Sequence, residues 1–214
     1  MALASLFRGI RGVSRLWRRT PIIVVSGLPR SGTSMMMRML AAGGVPILSD
    51  AIRSADESNP VGYFEFEPVK DLAKGAPSAW LDEARGKAVK IIAFLLTWLP
   101  ETHEYRVLFM RRDLGEIVAS QREMLARRGE PSASDDEHLP GIYAEHLETI
   151  ARFLSRRKCF STLDVDYRSV ISHPEEEARR IAAFLRRDLD IAAMAAAVDS
   201  RLYRQRAQNQ EPST

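Results

Sequence analysis

Residues 22–40 read IIVVSGLPRSGTSMMMRML. The β-branched apolar run Ile22 to Val25 predicts a strand buried on both faces. Gly27 to Gly32 then makes a tight turn. Thr33 or Ser34 is placed to cap a helix that carries Met35, Met36, Met39 and Leu40. Strand, glycine loop and helix in this order present several backbone N–H groups to a phosphate, at the positive end of a helix dipole. An anion is therefore expected over Arg30 to Ser34.

The general phosphate loop of nucleotide hydrolases spaces two glycines as Gly27 and Gly32 are spaced, and follows the second with lysine. Here Thr33 stands in the lysine's place and the cation has moved to Arg30, inside the loop. A loop without that lysine lacks its charge on the transferring phosphoryl group. Its shape suits phosphate, but its detail argues against ordinary ATP chemistry.

Outside this stretch, composition sets the bounds. The 214 residues are 45% hydrophobic and 28% charged, which suits one well-buried domain of an ordinary globular protein. No apolar run approaches the ~20 residues of a membrane span. The formal charge is +3, and its basic side is mostly arginine, with lysine only at Lys70, Lys74, Lys87, Lys90 and Lys158. Arginine suits bidentate contacts to phosphate and sulfate. The lone Cys159 rules out an internal disulfide framework. His103, His138, His146 and His173 show no metal-ligand spacing, so no metal is expected, and no nucleic-acid partner is implied.

Residues 1–20 form a separate piece. Leu3, Leu6, Phe7, Ile10, Val13 and Trp17 recur at helical spacing, with Arg8, Arg11, Arg15, Arg18 and Arg19 on the opposite face. A basic amphipathic helix of this kind can lie on a membrane or bind an acidic partner. It equally suits an organelle-targeting peptide or an extension packed on the domain surface. The expected location is cytoplasmic, with peripheral membrane contact through residues 1–19 as an option.

The domain itself is expected over residues 21–200, followed by a polar tail at 201–214. Gly43-Gly44 should stop the first helix, and Val45 to Leu48 reads as a short edge strand. Asp50 to Asn59 is polar, and Asn59 to Glu65 is a turn leading to two aromatics and a carboxylate. Phe66 to Lys74 can be helical. Lys87 to Ile92 reads as a second buried strand, and Phe94 to Leu99 as a helix ended by Pro100. Tyr105 to Met110 is a third, with Arg111 and Arg112 at its C-terminal end. A helix from Asp113 to about Arg128 follows, then one over Gly141 to Arg156. Phe160 to Val165 is another strand, and Glu175 to Leu185 and Ile191 to Val198 are helices. Alternating strands and helices predict an α/β fold of three layers, a mainly parallel sheet flanked by helices, like the P-loop nucleoside triphosphate hydrolases. Ligands gather at the C-terminal ends of such strands, which puts Arg112 on the same edge as the Arg30 loop.

Two clusters carry a resemblance. L-P-R-S-G-T-S resembles the 5′-phosphosulfate loop of sulfotransferases, in which proline and a lysine or arginine precede S-G-T. Arg112 and Ser120 lie eight residues apart, the arginine ending a strand and the serine two turns into the next helix. This resembles the pair with which the same enzymes hold the 3′-phosphate of their donor. LDVDYRSVISHPEEEARRIAAFL resembles the family's C-terminal segment. Lys87 to Pro100 is similar to the strand that carries a catalytic lysine and histidine in cytosolic members; here Lys90 keeps the lysine, and Ile92 takes the histidine position. The family's C-terminal R-K-G loop is missing, and Arg201, Arg204 and Arg206 stand in that region.

The resemblance implies transfer of a sulfuryl group from 3′-phosphoadenosine 5′-phosphosulfate to a hydroxyl or amine, on a small molecule or a carbohydrate. It implies donor binding by Arg30, Ser31, Gly32, Thr33 and Ser34 with Arg112 and Ser120, and catalysis by Arg30 and Lys90. Ile92 cannot act as a base. Carbohydrate sulfotransferases often place a glutamate after an aromatic pair, and Tyr63-Phe64-Glu65 looks similar, so Glu65 is the candidate base, with Glu67 second. Asp50, Arg53 and Asp56 are weaker candidates for the acceptor pocket. Two alternatives stay open. One is a P-loop kinase or nucleotide hydrolase with a displaced cation, holding magnesium by Ser34 with Asp164 or Asp166. The other is a non-catalytic nucleotide-binding module that works through residues 1–19. Oligomeric state is not legible.

Overall fold

The computed structural model describes residues 20–50, 64–75, 79–129 and 138–199. Residues 1–19, the turn at 59–63 with Arg53 and Asp56, and the polar tail lie outside them. Strand β1 (Ile22–Gly27) is buried along its whole length, as its continuous apolar run requires. Helix α1 (Thr33–Ala42) follows the glycine loop. The edge strand β2 (Ile47–Leu48) and a 3-10 helix (Glu67–Lys74) come next. Then come α2 (Trp80–Glu83), β3 (Ala88–Lys90) and a second 3-10 helix (Ala93–Trp98). The remainder is β4 (Tyr105–Arg111), α3 (Leu114–Arg128), α4 (Leu139–Ser155), β5 (Phe160–Asp166), α5 (Tyr167–Ser172), α6 (Pro174–Leu185) and α7 (Ile191–Ala196).

All five strands are parallel, in the order β2-β3-β1-β4-β5. Alternation along β1 divides the core into two. Ile22 and Val24 face Val89, Ile91, Tyr105, Val107 and Phe109, under the two 3-10 helices, α2 and α4. Ile23 and Val25 face Leu108, Met110 and the apolar stripes of α1, α5, α6 and α7. Strand period and helix stripe thus meet as three layers. α1 alone buries Met35, Met36, Met37, Met39 and Leu40, each worth roughly 1.5–3 kcal/mol of transfer free energy.

The differences from the sequence expectations are local. Segments 66–74 and 94–99 are 3-10 rather than α-helical. Both pack on one face of the sheet, through Val69 and Leu72 in the first and Ala93 and Leu96 in the second. The short helices α2 and α5 had no expected counterpart. Neither Thr33 nor Ser34 caps α1. Gly32 is the N-cap, in a left-handed conformation with φ 99°, and no side chain caps the helix. Among the described residues no helix is long and apolar enough to cross a membrane.

Candidate functional site

The chain leaves β1 for α1, and later crosses from β3 to β4 past the other side of β1, so a crevice opens at the C-terminal edge of β1. That edge is where ligands bind in open parallel sheets. A cavity of about 420 Å³ lies there, lined by the loop residues Pro29, Arg30 and Gly32 and the first turn of α1. Five cations border it, Arg30, Arg38, Lys70, Lys90 and Arg112, against one carboxylate among the described lining residues, Glu65.

The loop is built around two glycines. A Cβ on Gly27 would come within 2.4 Å of Ser31 Oγ and 2.8 Å of the Met110 carbonyl. A Cβ on Gly32 would meet the Tyr167 ring at 2.5 Å, and φ there is also in the region that side chains avoid. Arg30 itself takes φ 70°, a strained conformation worth about 1–3 kcal/mol that the surroundings must hold. Arg112 Nη1 does so by donating to the Arg30 carbonyl at 3.0 Å.

Because α1 has no side-chain cap and its first i→i−4 bond is Met36 N–H to Gly32 C=O, the N–H groups of Gly32, Thr33, Ser34 and Met35 begin the helix without an intrahelical acceptor. All four residues line the cavity. Ser31, grouped with them from the sequence, stands apart. Its N–H donates to the Leu28 carbonyl at 3.1 Å, and the residue is buried beneath the loop. It shapes the turn rather than facing the cavity.

The second cluster comes from β4 and α3. Asp113 caps α3 through the Glu116 N–H, which fixes the helix start just past Arg112. Ser120 is brought to Arg30, whose Nε donates to Ser120 Oγ at 3.0 Å. Arg112 Nε donates to Glu116 Oε2 at 3.0 Å, and its guanidinium stacks 4.4 Å from the centre of the Tyr167 ring. Glu116 Oε1 also accepts from Arg168 Nη2 at 2.7 Å and Nε at 3.2 Å. The Glu116 side chain is 1% exposed and that of Arg112 6%. The two clusters of the sequence are therefore one constellation.

On the other wall, Lys90 at the end of β3 donates to Ser34 Oγ at 3.3 Å. Ile92 lines the cavity two residues on, with Leu95, Phe66 and Val69. Glu65 reaches the cavity from a bent segment in which Phe64 has φ 50°. Asp50 braces that segment. Its N–H donates to the Glu65 carbonyl at 2.9 Å, and its Oδ2 accepts from the Glu67 N–H at 2.6 Å. Lys70 approaches Glu65 at 3.7 Å. Its pKa is raised chiefly by a hydrogen bond to Glu67; burial opposes this, and the Glu67 and Glu65 charges add to it. Glu67 is thereby engaged by Lys70 and is absent from the cavity lining.

Neither Asp164 nor Asp166, the alternatives considered from the sequence for magnesium with Ser34, lines the cavity. Asp164 accepts from Arg111 at 2.9 Å, and Asp166 caps α5 through the Ser169 N–H. The group brought to Ser34 Oγ is the cationic Lys90, which does not suit a magnesium site. Arg38, Tyr167, Glu116 and Arg168 are site residues that sequence reasoning missed. The four-residue spacing of Ser34 to Arg38 on α1 was the available signal; Glu116 stands four positions after Arg112, in the first turn of α3. Arg38 Nε is buried with no hydrogen-bond partner among the described residues.

Fold and site together define an α/β protein with a cation-lined crevice at the C-terminal edge of a parallel sheet. No protein-family model matches the sequence, and no curated protein matches it. Among solved structures, sulfotransferase STF9 from Mycobacterium avium is similar with a TM-score of 0.52 at 14% identity, over 91% of this chain and 70% of its own. A sulfotransferase domain from the curacin biosynthetic pathway is similar over 85% of this chain and 84% of its own, at 14% identity and a TM-score of 0.48. The chain has the sulfotransferase fold.

Proposed function

We propose that this protein transfers a sulfuryl group from 3′-phosphoadenosine 5′-phosphosulfate to a hydroxyl or amine of a small molecule or carbohydrate. The observation that carries this is the uncapped start of α1, which opens on a cavity bordered by five cations. A donor that carries both a phosphosulfate and a 3′-phosphate brings negative charge to those N–H groups and cations together. In this scheme the 5′-phosphosulfate lies over the N–H groups of Gly32, Thr33 and Ser34, beside Arg30 and Lys90. The 3′-phosphate lies against Arg112 and Ser120.

The acceptor oxygen or nitrogen attacks sulfur in line. A new bond to sulfur forms as the bond from sulfur to the 5′-phosphate oxygen breaks, and adenosine 3′,5′-bisphosphate leaves. Arg30 and Lys90 offset the charge that develops on the leaving phosphate and the peripheral oxygens. The acceptor's proton passes to Glu65, the carboxylate on the cavity wall. The protein's part is orientation and electrostatics, and the scheme needs no metal.

The test is calorimetric binding of adenosine 3′,5′-bisphosphate and of ATP with magnesium, to wild type and Arg112→Ala. The expected result is metal-independent binding of the bisphosphate, weakened by about 2 kcal/mol in the variant, the size of a charge-assisted hydrogen bond. Preference for magnesium-ATP would overturn the reading.

A further inference from the structure

Glu116 is a buried carboxylate in the first turn of α3, at the rim of a site whose ligand is anionic. A bare negative charge there would repel that ligand. It is not bare: Arg112 binds one oxygen and Arg168 the other. Arg168, 47% exposed, comes from α5, on the far side of β5 in sequence, so the carboxylate ties two elements of the sheet edge together. Its backbone N–H is fixed by Asp113, and the helix dipole favours its charge at this position.

What it holds in place is the guanidinium of Arg112. Glu116 sets the plane of Arg112. Arg112 in turn donates to the Arg30 carbonyl and stacks on the Tyr167 ring, and that ring packs against Gly32. We infer that Glu116 is a positioning residue: it aims Arg112 so that the site discriminates a nucleotide carrying a 3′-phosphate from one without it. This rests on the function proposed above.

The test separates positioning from mere proximity by the sign of the effect. If Glu116 only sits nearby, Glu116→Gln removes a repulsive charge and adenosine 3′,5′-bisphosphate binds more tightly. If it aims Arg112, the same change weakens the bisphosphate about tenfold, the low end of a charged hydrogen bond, and leaves adenosine 5′-monophosphate within about twofold. Both ligands are titrated calorimetrically into wild type and variant. Glu116→Asp keeps the charge and retracts the carboxylate by one methylene. It guards against misfolding of the first variant, and the same selective loss is expected of it.

Equal weakening of both nucleotides in both variants would reduce Glu116 to a structural role and overturn the inference. So would an unchanged or increased preference for the bisphosphate. A wild type that does not prefer the bisphosphate would instead overturn the proposed function, and the inference with it.

Discussion

Gly32→Ala tests the claim that the loop and the Tyr167 ring are fitted to each other. Two terms add. An L-residue in the left-handed region costs roughly 1–2 kcal/mol. The new methyl would stand 2.5 and 2.8 Å from two carbons of the Tyr167 ring, and forcing a buried side chain aside costs about 1–3 kcal/mol. The expected loss is therefore about 2–5 kcal/mol. In a domain of this size that lowers the unfolding midpoint by roughly 10 °C at the centre of the range. Thermal unfolding followed by circular dichroism measures it. The ring's share is isolated by repeating the substitution in a Tyr167→Ala background, where only the backbone term of roughly 1–2 kcal/mol should remain. An equal loss in the two backgrounds would refute the steric argument. A loss below about 1 kcal/mol in wild type would refute both terms.

Three further outcomes follow from the site and the core. Glu65→Gln should lower kcat by about a hundredfold or more once an acceptor is in hand, as expected for a general base, while bisphosphate affinity stays unchanged; steady-state kinetics and calorimetry read the two. Lys90→Met should lower turnover more than donor affinity, because its ammonium is placed beside the first turn of α1. His146 has its pKa lowered from 6.5 by burial against Phe94, with its Nε2 lacking a partner among the described residues. The unfolded chain then binds the extra proton more readily than the folded one. Stability is full above pH 6.5 and falls as the pH drops through that value towards the lowered one. Between pH 7.5 and 5.5 the denaturant midpoint of wild type should fall further than that of His146→Leu if His146 causes the acid loss; a parallel fall in both proteins would sink that assignment.

The strands were legible because a strand buried on both faces cannot alternate, and Ile22 to Val25 and Tyr105 to Met110 do not. The glycine spacing also fixed the loop, since few backbones other than this turn need glycine at both Gly27 and Gly32. What escaped was set by tertiary contact. Whether a short segment such as Ala93–Trp98 winds as 3-10 or α depends on what it packs against. Capping was misread because Thr33 and Ser34 favour N-caps in general, whereas here their hydroxyls are not used for it. At the site, Arg30, Arg112 and Lys90 could be named from motif positions. Tyr167 and Arg168 stood in the segment similar to the family's C-terminal one, but their part at the site was not read from it, because that part lies in tertiary contacts with Arg112 and Glu116.

The order of the strands also bears on how the chain can fold. β1 is made early but sits in the middle of the sheet, and its partners come much later: Ile23 pairs with Ala88, and Ile22 with Tyr105. Both ladders are parallel and non-local, so loop closure must precede any gain from pairing. Until β3 has been synthesised the largely apolar β1 has neither neighbour, and until Met110 has been synthesised the edge that β4 covers stays unpaired. Such an edge is a template for association with other chains. During biosynthesis the nascent protein is thus most vulnerable to aggregation between the making of β1 and that of β4, and a fragment ending before β4 should accumulate as insoluble material.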